Sequence, residues 1–288
     1  MKAILFSLSI FFCLHGFTQE TLQKPLRHFM QVKPSSANEI QYGNNPEAGH
    51  YVLSGDARIY YEVYGKGQPI LVLHGGLFGS TIEMAGFINN LKKTNQVIAV
   101  STRGHGKSEI GSKPLTLEQR ANDALAVINA VTKDSVIVLG FSDGGYTAYK
   151  LASLYPAKVK KMVVIGAGEL YPGLREFPDV KKARDLDKVY WNQQLKLMPE
   201  PGRLDEVFDQ VVNCYSHLTV GKDLLGAIKC PVLVMAGDRD QGNTVEHVVA
   251  AARMIQHHEI SIIPNATHTV FLENFPAVWE SILPFLKQ

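Results

Sequence analysis

The chain has 288 residues, enough for one large α/β domain with an insertion or for about two domains. Hydrophobic residues make up 45% and charged residues 19%, which excludes a disordered, collagen-like or multi-span membrane chain. The formal net charge of +2 creates no basic field of the kind nucleic-acid binding needs, so no nucleic-acid partner is expected.

Cysteine usage says little more. The three Cys are too few for a disulfide framework. Cys214 and Cys230 either pair or stay free, and Cys13 lies in a segment expected to be removed. There is no CxxC and no Cys/His spacing suited to zinc, so no metal is expected.

Met1-Lys2-Ala3 leads into an apolar run from Ile4 to Phe17, interrupted by Ser7, Ser9 and His15. One early Lys before a bounded apolar block predicts a secretory signal peptide over residues 1–19, and hence a secreted or periplasmic protein. The run is shorter than the ~20 residues a bilayer requires, so no stable membrane span is expected in the mature chain. Phe12 before Cys13 argues against a lipid anchor. Residues 20–50 hold Pro25, Pro34, Gly43, Pro46 and Gly49, a density that breaks regular structure and predicts an extended arm.

From there strands and helices alternate. Arg58–Tyr64 is β-branched and aromatic, suiting a strand. Short continuous apolar runs, the mark of strands covered on both faces, follow at Ile70–Leu73, Val97–Val100, Val136–Leu139, Met162–Ile165, Val232–Met235 and Ile260–Ile263. Between them, Leu117, Ala121, Ala124, Leu125, Ile128 and Val131 share one helical face, and Thr116 with Gln119 forms a candidate capping box. This alternation predicts an α/β fold with a mostly parallel central sheet and helices on both faces. It stops between Ile165 and Pro231. Val180–Met198 and Leu204–Leu218 read there as amphipathic helices of an insertion, either a lid over a site at the strand ends or a plain structural excursion. The expected division is a core over 51–168 and 230–288 with a small helical lid over 169–229.

The chemistry is carried by Gly140-Phe141-Ser142-Asp143-Gly144, directly after the run Val136–Leu139 and before Tyr146–Tyr155, which can be helical. A G-x-S-x-G turn between strand and helix exposes the serine hydroxyl at the helix N-terminus. A serine hydroxyl needs a base, and the base needs an orienting acid. Both are expected downstream, in the order acid then base, on loops after strands. Gly237-Asp238-Arg239-Asp240 supplies Asp240 as the acid, with Asp238 bonding its own turn, and Asn265-Ala266-Thr267-His268 supplies His268 as the base. Acyl transfer also needs N–H donors for the oxyanion. The candidates are Asp143 and the loop His74-Gly75-Gly76-Leu77, through Gly76 or Leu77, with His74 a structural bonder of loops.

These motifs, together with Arg103-Gly104-His105-Gly106-Lys107-Ser108, resemble the α/β-hydrolase family from about residue 51 onward. Phe141–Gly145 followed by Lys160–Val164 is similar to the valacyclovir hydrolase-like esterases within its serine hydrolase branch. The resemblance implies the α/β-hydrolase fold, a small-molecule acyl substrate, no cofactor, and cleavage of small carboxylic esters through an acyl-enzyme. C–C bond or amide hydrolysis on the same residues, and a low-turnover ligand-binding protein, are the alternatives. It further implies a substrate-binding role for Asp143 toward an amino group, against a plain helix-dipole role in the first turn of the helix. Ser101 stands where the family often has Asp before the R-G-x-G-x-S loop, which questions one supporting bond there.

Overall fold

The computed structural model describes residues 25–32, 39–176 and 180–288. The expected signal peptide over 1–19, Cys13 and Pro34 therefore lie outside the described residues.

Eight strands form one sheet: β1 (Gly49–Ser54), β2 (Ala57–Tyr64), β3 (Gln68–Leu73), β4 (Asn95–Val100), β5 (Val136–Phe141), β6 (Val159–Ile165), β7 (Val232–Gly237) and β8 (His258–Ile263). Their spatial order is β1-β2-β4-β3-β5-β6-β7-β8. β2 runs antiparallel to both β1 and β4, and every later pairing is parallel. The helices are α1 (Ala85–Leu91), α2 (Leu117–Val131), α3 (Asp143–Leu154), α4 (Val180–Leu186), α5 (Lys188–Leu197), α6 (Leu204–His217), α7 (Lys222–Leu225), α8 (Val245–Arg253), α9 (Val270–Glu273) and α10 (Phe275–Lys287).

The apolar runs in β3 to β7 became strands because both sheet faces are covered there; Ile260–Ile263, expected to be covered likewise, instead lies in the edge strand β8 with Ile260 39% exposed. Leu71, Leu73, Ile98, Val138, Val164 and Val234 pack with the buried residues of α2, α3 and α8. Ile70, Val72, Val97, Leu139, Val163 and Met235 pack on the other face with α1, α9 and α10. Alternate residues of one strand thus enter two different cores, which is why these strands read as continuously apolar. The fold is an α/β-hydrolase fold with a mostly parallel sheet.

Several boundaries differ from the sequence reading. β1 begins inside the segment assigned to the arm. It is an edge strand with Tyr51 and Leu53 exposed, so no continuous apolar run marks it. α3 begins at Asp143, three residues earlier than Tyr146, because the nucleophile turn passes straight into the helix. At α2 the Thr116 side chain accepts the Gln119 N–H at 3.0 Å, but the Gln119 side chain turns to Asp123 at 3.0 Å, so only half of the capping box forms. Helices α4–α7 all fall between β6 and β7, within the expected insertion, and a single bridge from Leu170 to Val220 ties its two ends. Cys214 and Cys230 are free thiols. Among the described residues no helix is long and apolar enough to cross a membrane.

The described part of the arm is strapped to the insertion. Arg27 pairs with Asp187 at 2.9 Å, and the Met30 N–H donates to the same carboxylate at 2.8 Å. Gln193 on α5 donates to the Pro25 carbonyl at 2.8 Å. Phe29 stacks on Phe78, with centroids 4.7 Å apart, and meets Tyr190 edge-on at 5.5 Å.

Candidate active site

Ser142 sits between β5 and α3 with φ +51° and ψ −110°, a conformation L-residues rarely adopt. Tight packing around the turn holds it there. A Cβ on Gly140 would lie 2.3 Å from the Gly144 carbonyl oxygen, and one on Gly144 would lie 2.4 Å from that of Leu73. The Ser142 N–H donates to Ile165 on β6 at 2.7 Å, pinning the turn to the neighbouring strand.

The structure brings the three predicted side chains together. His268 Nε2 accepts from the Ser142 hydroxyl at 3.0 Å, and its Nδ1–H donates to Asp240 Oδ2 at 2.7 Å. The other Asp240 oxygen accepts the N–H groups of Gly242 at 2.9 Å and Asn243 at 2.8 Å, which fixes the buried carboxylate. The imidazole lies against Phe141, with centroids 5.0 Å apart, and beside Gly166. Asp238, read as bonding its own turn, instead accepts the Ala266 N–H at 3.1 Å and so ties the acid's loop to the base's loop.

The backbone N–H groups of Gly76, Leu77 and Asp143 have no acceptor among the described residues. All three residues line the same cavity as Ser142 and His268. Leu77 has φ +52°, a second strained residue at the site. The loop is held from behind. His74 is buried, with Nε2 accepting the Thr102 N–H at 3.1 Å and Nδ1 donating to the Gly75 carbonyl at 2.6 Å. Burial and the neighbouring His105 pull its pKa down to about 3, so it is a neutral spacer between loops. The Ser101 hydroxyl lies 3.0 Å from the Thr81 hydroxyl, and its carbonyl accepts the Ser108 hydroxyl at 2.6 Å within the 101–108 loop. Arg103 anchors the 101–108 loop by donating to both Asp123 oxygens at 2.8 Å.

Four contributors escaped the sequence reading. Glu83 is buried and accepts the Gly75 N–H at 2.7 Å, and burial pushes its carboxyl up to about 8. Arg120 on α2 and Tyr215 on α6 both donate to one Asp143 oxygen. The Asp143 carboxylate, 2% exposed, is thus already neutralised by a protein cation, and its other oxygen has no partner among the described residues. Arg175 reaches the cavity from the segment after β6. The one signal in the sequence was Arg120, a charge on the apolar stripe of Leu117, Ala121 and Ala124.

The cavity has a volume of about 320 Å³. Its apolar wall includes Phe29, Leu77, Phe78, Phe141 and Leu272. Among the described residues no three His, Cys, Asp or Glu side chains converge as the ligands of a metal would.

Comparisons with known proteins agree with this architecture. The family described as alpha/beta hydrolase fold matches residues 68–202. The serine hydrolase BPHL of Homo sapiens is 25% identical over 267 residues, covering 86% of this chain and 88% of that protein. A protein of Azorhizobium caulinodans named as the carbamate hydrolase RutD is 32% identical over 238 residues, covering 78% of this chain and 86% of its own length. Among solved structures, a serine hydrolase involved in carbazole degradation (CarC enzyme) superposes with a TM-score of 0.70 at 22% identity, covering 83% of this chain and 98% of that one. On sequence, fold and the order of its motifs, the chain belongs to the α/β-hydrolase family of serine hydrolases.

Proposed function

We propose that the protein cleaves small carboxylic esters through an acyl-enzyme, with Ser142 as nucleophile, His268 as base and Asp240 as orienting acid. The reading rests on one observation: an unbroken hydrogen-bonded chain from the Ser142 hydroxyl through His268 to a buried carboxylate, opening into an apolar cavity. Ser142 attacks the acyl carbon as His268 takes its proton. His268 then returns that proton to the leaving alcohol, and water repeats the sequence to release the acid. Asp240 holds the Nδ1–H tautomer and stabilises the imidazolium. The free N–H of Asp143, with that of Gly76 or Leu77, stabilises the oxyanion.

Asp143 fits this role better than it fits ammonium recognition. A bare carboxylate beside the oxyanion would oppose the developing charge, and here Arg120 cancels it. Helices α4–α7 act as the lid, and residues 1–19 as a signal that directs the protein to the periplasm or outside the cell. N-terminal sequencing of the secreted protein tests that part.

The central test is hydrolysis of a short-chain nitrophenyl ester by wild type and Ser142→Ala. The variant is expected to lose at least ~10³-fold in kcat. Equal rates would remove Ser142 from the chemistry. Parallel assays with an amide and a vinylogous diketone identify the bond class, and a faster reaction with either overturns the ester assignment.

A further inference from the structure

The cavity beside Ser142 contains a cation, Arg175, with no counter-ion among the described residues. Its ionisable wall residues besides His268 and two tyrosines are Glu83, Asp143, Arg175 and Glu176. Asp143 is paired with Arg120. Glu83 is held in its protonated form near neutral pH by burial. Glu176 is exposed and makes no ion pair with Arg175. Arg175 is half-buried, and no carboxylate lies within ion-pair distance of it among the described residues.

Its guanidinium is nevertheless held in place. Nη2 donates to the Tyr146 hydroxyl at 2.8 Å and to Asn243 Oδ1 at 2.5 Å, so both hydrogens on that nitrogen are used. The Tyr146 hydroxyl in turn donates to Asn243 Oδ1 at 2.8 Å, and the Gly168 N–H donates to the same oxygen at 2.8 Å. The Tyr146 ring lies under the guanidinium, 5.8 Å from Cζ. The N–H groups on Nη1 and Nε have no partner among the described residues, and Nε is buried. A fixed, partly desolvated cation with a spare donor on Nη1 in a mostly apolar cavity matches an anionic oxygen acceptor.

We propose that Arg175 receives a carboxylate of the substrate, so that the preferred esters carry a second, ionised carboxyl group. This rests on the ester-hydrolase reading above and specifies its substrate class. The covalent steps are those already given. Arg175 supplies binding and orientation, and the uncharged analogue of a good substrate leaves its donors unsatisfied in the bound state.

The test separates this role from a merely structural one. Arg175 also contacts Asn243, three residues from Asp240, so a structural role would depress turnover of every substrate alike. Binding is measured by calorimetry on Ser142→Ala, with monophenyl glutarate against its methyl-capped neutral analogue and with 4-carboxyphenyl butyrate against its methyl ester. This works whether or not the wild type hydrolyses these compounds, so it stays distinct from the nucleophile test. The acid of at least one pair is expected to bind about 10- to 100-fold more tightly than its neutral partner, the usual range for a charge-assisted hydrogen bond. Adding Arg175→Gln should abolish the difference, and Arg175→Lys should restore part of it. For hydrolysis by otherwise wild-type protein, the same ratio should fall through KM rather than kcat. No preference for the acid in either pair, or a preference that survives Arg175→Gln, overturns the proposal.

Discussion

The cavity around Ser142 is built by two regions of different kind. Its floor comes from loops at the ends of the strands: Gly76 after β3, Ser142 after β5, Asp240 after β7 and His268 after β8. The first three follow strands buried on both faces, while His268 follows the edge strand β8, whose loop is pinned to the Asp240 loop by the Arg239 N–H donating to the Ala266 carbonyl at 2.9 Å. Its roof comes from chain outside the sheet: Phe29 of the arm, Arg175 after β6 and Tyr215 of α6. There the contacts are aromatic packing and side-chain hydrogen bonds. The difference separates two jobs. In the proposed reaction, positioning of Ser142, Asp240 and His268 belongs to the sheet, and the shape and charge presented to a substrate belong to the roof.

Substitutions on the two sides should therefore read out differently. The largest effect is expected on the floor. Asp240→Asn should lower kcat about 10³- to 10⁴-fold, since an amide cannot hold the Nδ1–H tautomer. A drop confined to KM would break the division. At the junction, Arg120→Met leaves Asp143 as a buried unpaired charge. It should cost about 3–5 kcal/mol in a urea titration, and a neutral result would mean that the Arg120–Asp143 pair does not hold this junction together. Phe29→Ala removes a roof contact and should raise KM several-fold while leaving kcat nearly constant, in steady-state kinetics on a neutral ester. The smallest effect is remote from both regions: Thr116→Ala should cost about 1 kcal/mol by removing the cap of α2.

Glu83 gives a pH test of the floor. Its folded pKa of about 8 lies above the ordinary value of 4.5, so the folded state keeps a proton that the unfolded chain has released. That contribution to stability is complete below 4.5 and is lost as pH rises toward 8. Above that range the carboxylate forms behind the oxyanion loop, where negative charge opposes the reaction. Glu83→Gln should flatten the decline of Tm with pH and remove the loss of activity on the alkaline side. An unchanged Tm–pH curve would exclude a titrating Glu83.

The same division explains what could be read from the sequence. That Ser142, Asp240 and His268 would meet was legible because each lies on a loop after a strand signal at the same end of the sheet, in the chain order that the turn at Ser142 calls for. Glu83, Tyr215 and Arg175 were not legible. Their roles depend on contacts with chain far away in sequence, such as Tyr215 with Asp143 or Arg175 with Asn243. β1 was missed because an exposed edge strand needs no apolar run. Arg120 was the intermediate case, visible as a charge on a buried stripe but with no partner that spacing could name.

Phe29 lies twenty residues before the first strand and yet forms part of the wall facing Ser142. Shortening the chain to the sheet's own boundary at Gly49 would keep every strand and every reacting group. It would also open one side of the chamber to solvent and strip the buried Glu62 carboxylate of its Gly43 and Asn45 N–H donors. A trimmed protein chosen for expression or crystallisation would then present a wider mouth at Ser142 than the full chain, and compounds selected by a screen on it would be fitted to a chamber the full chain does not have.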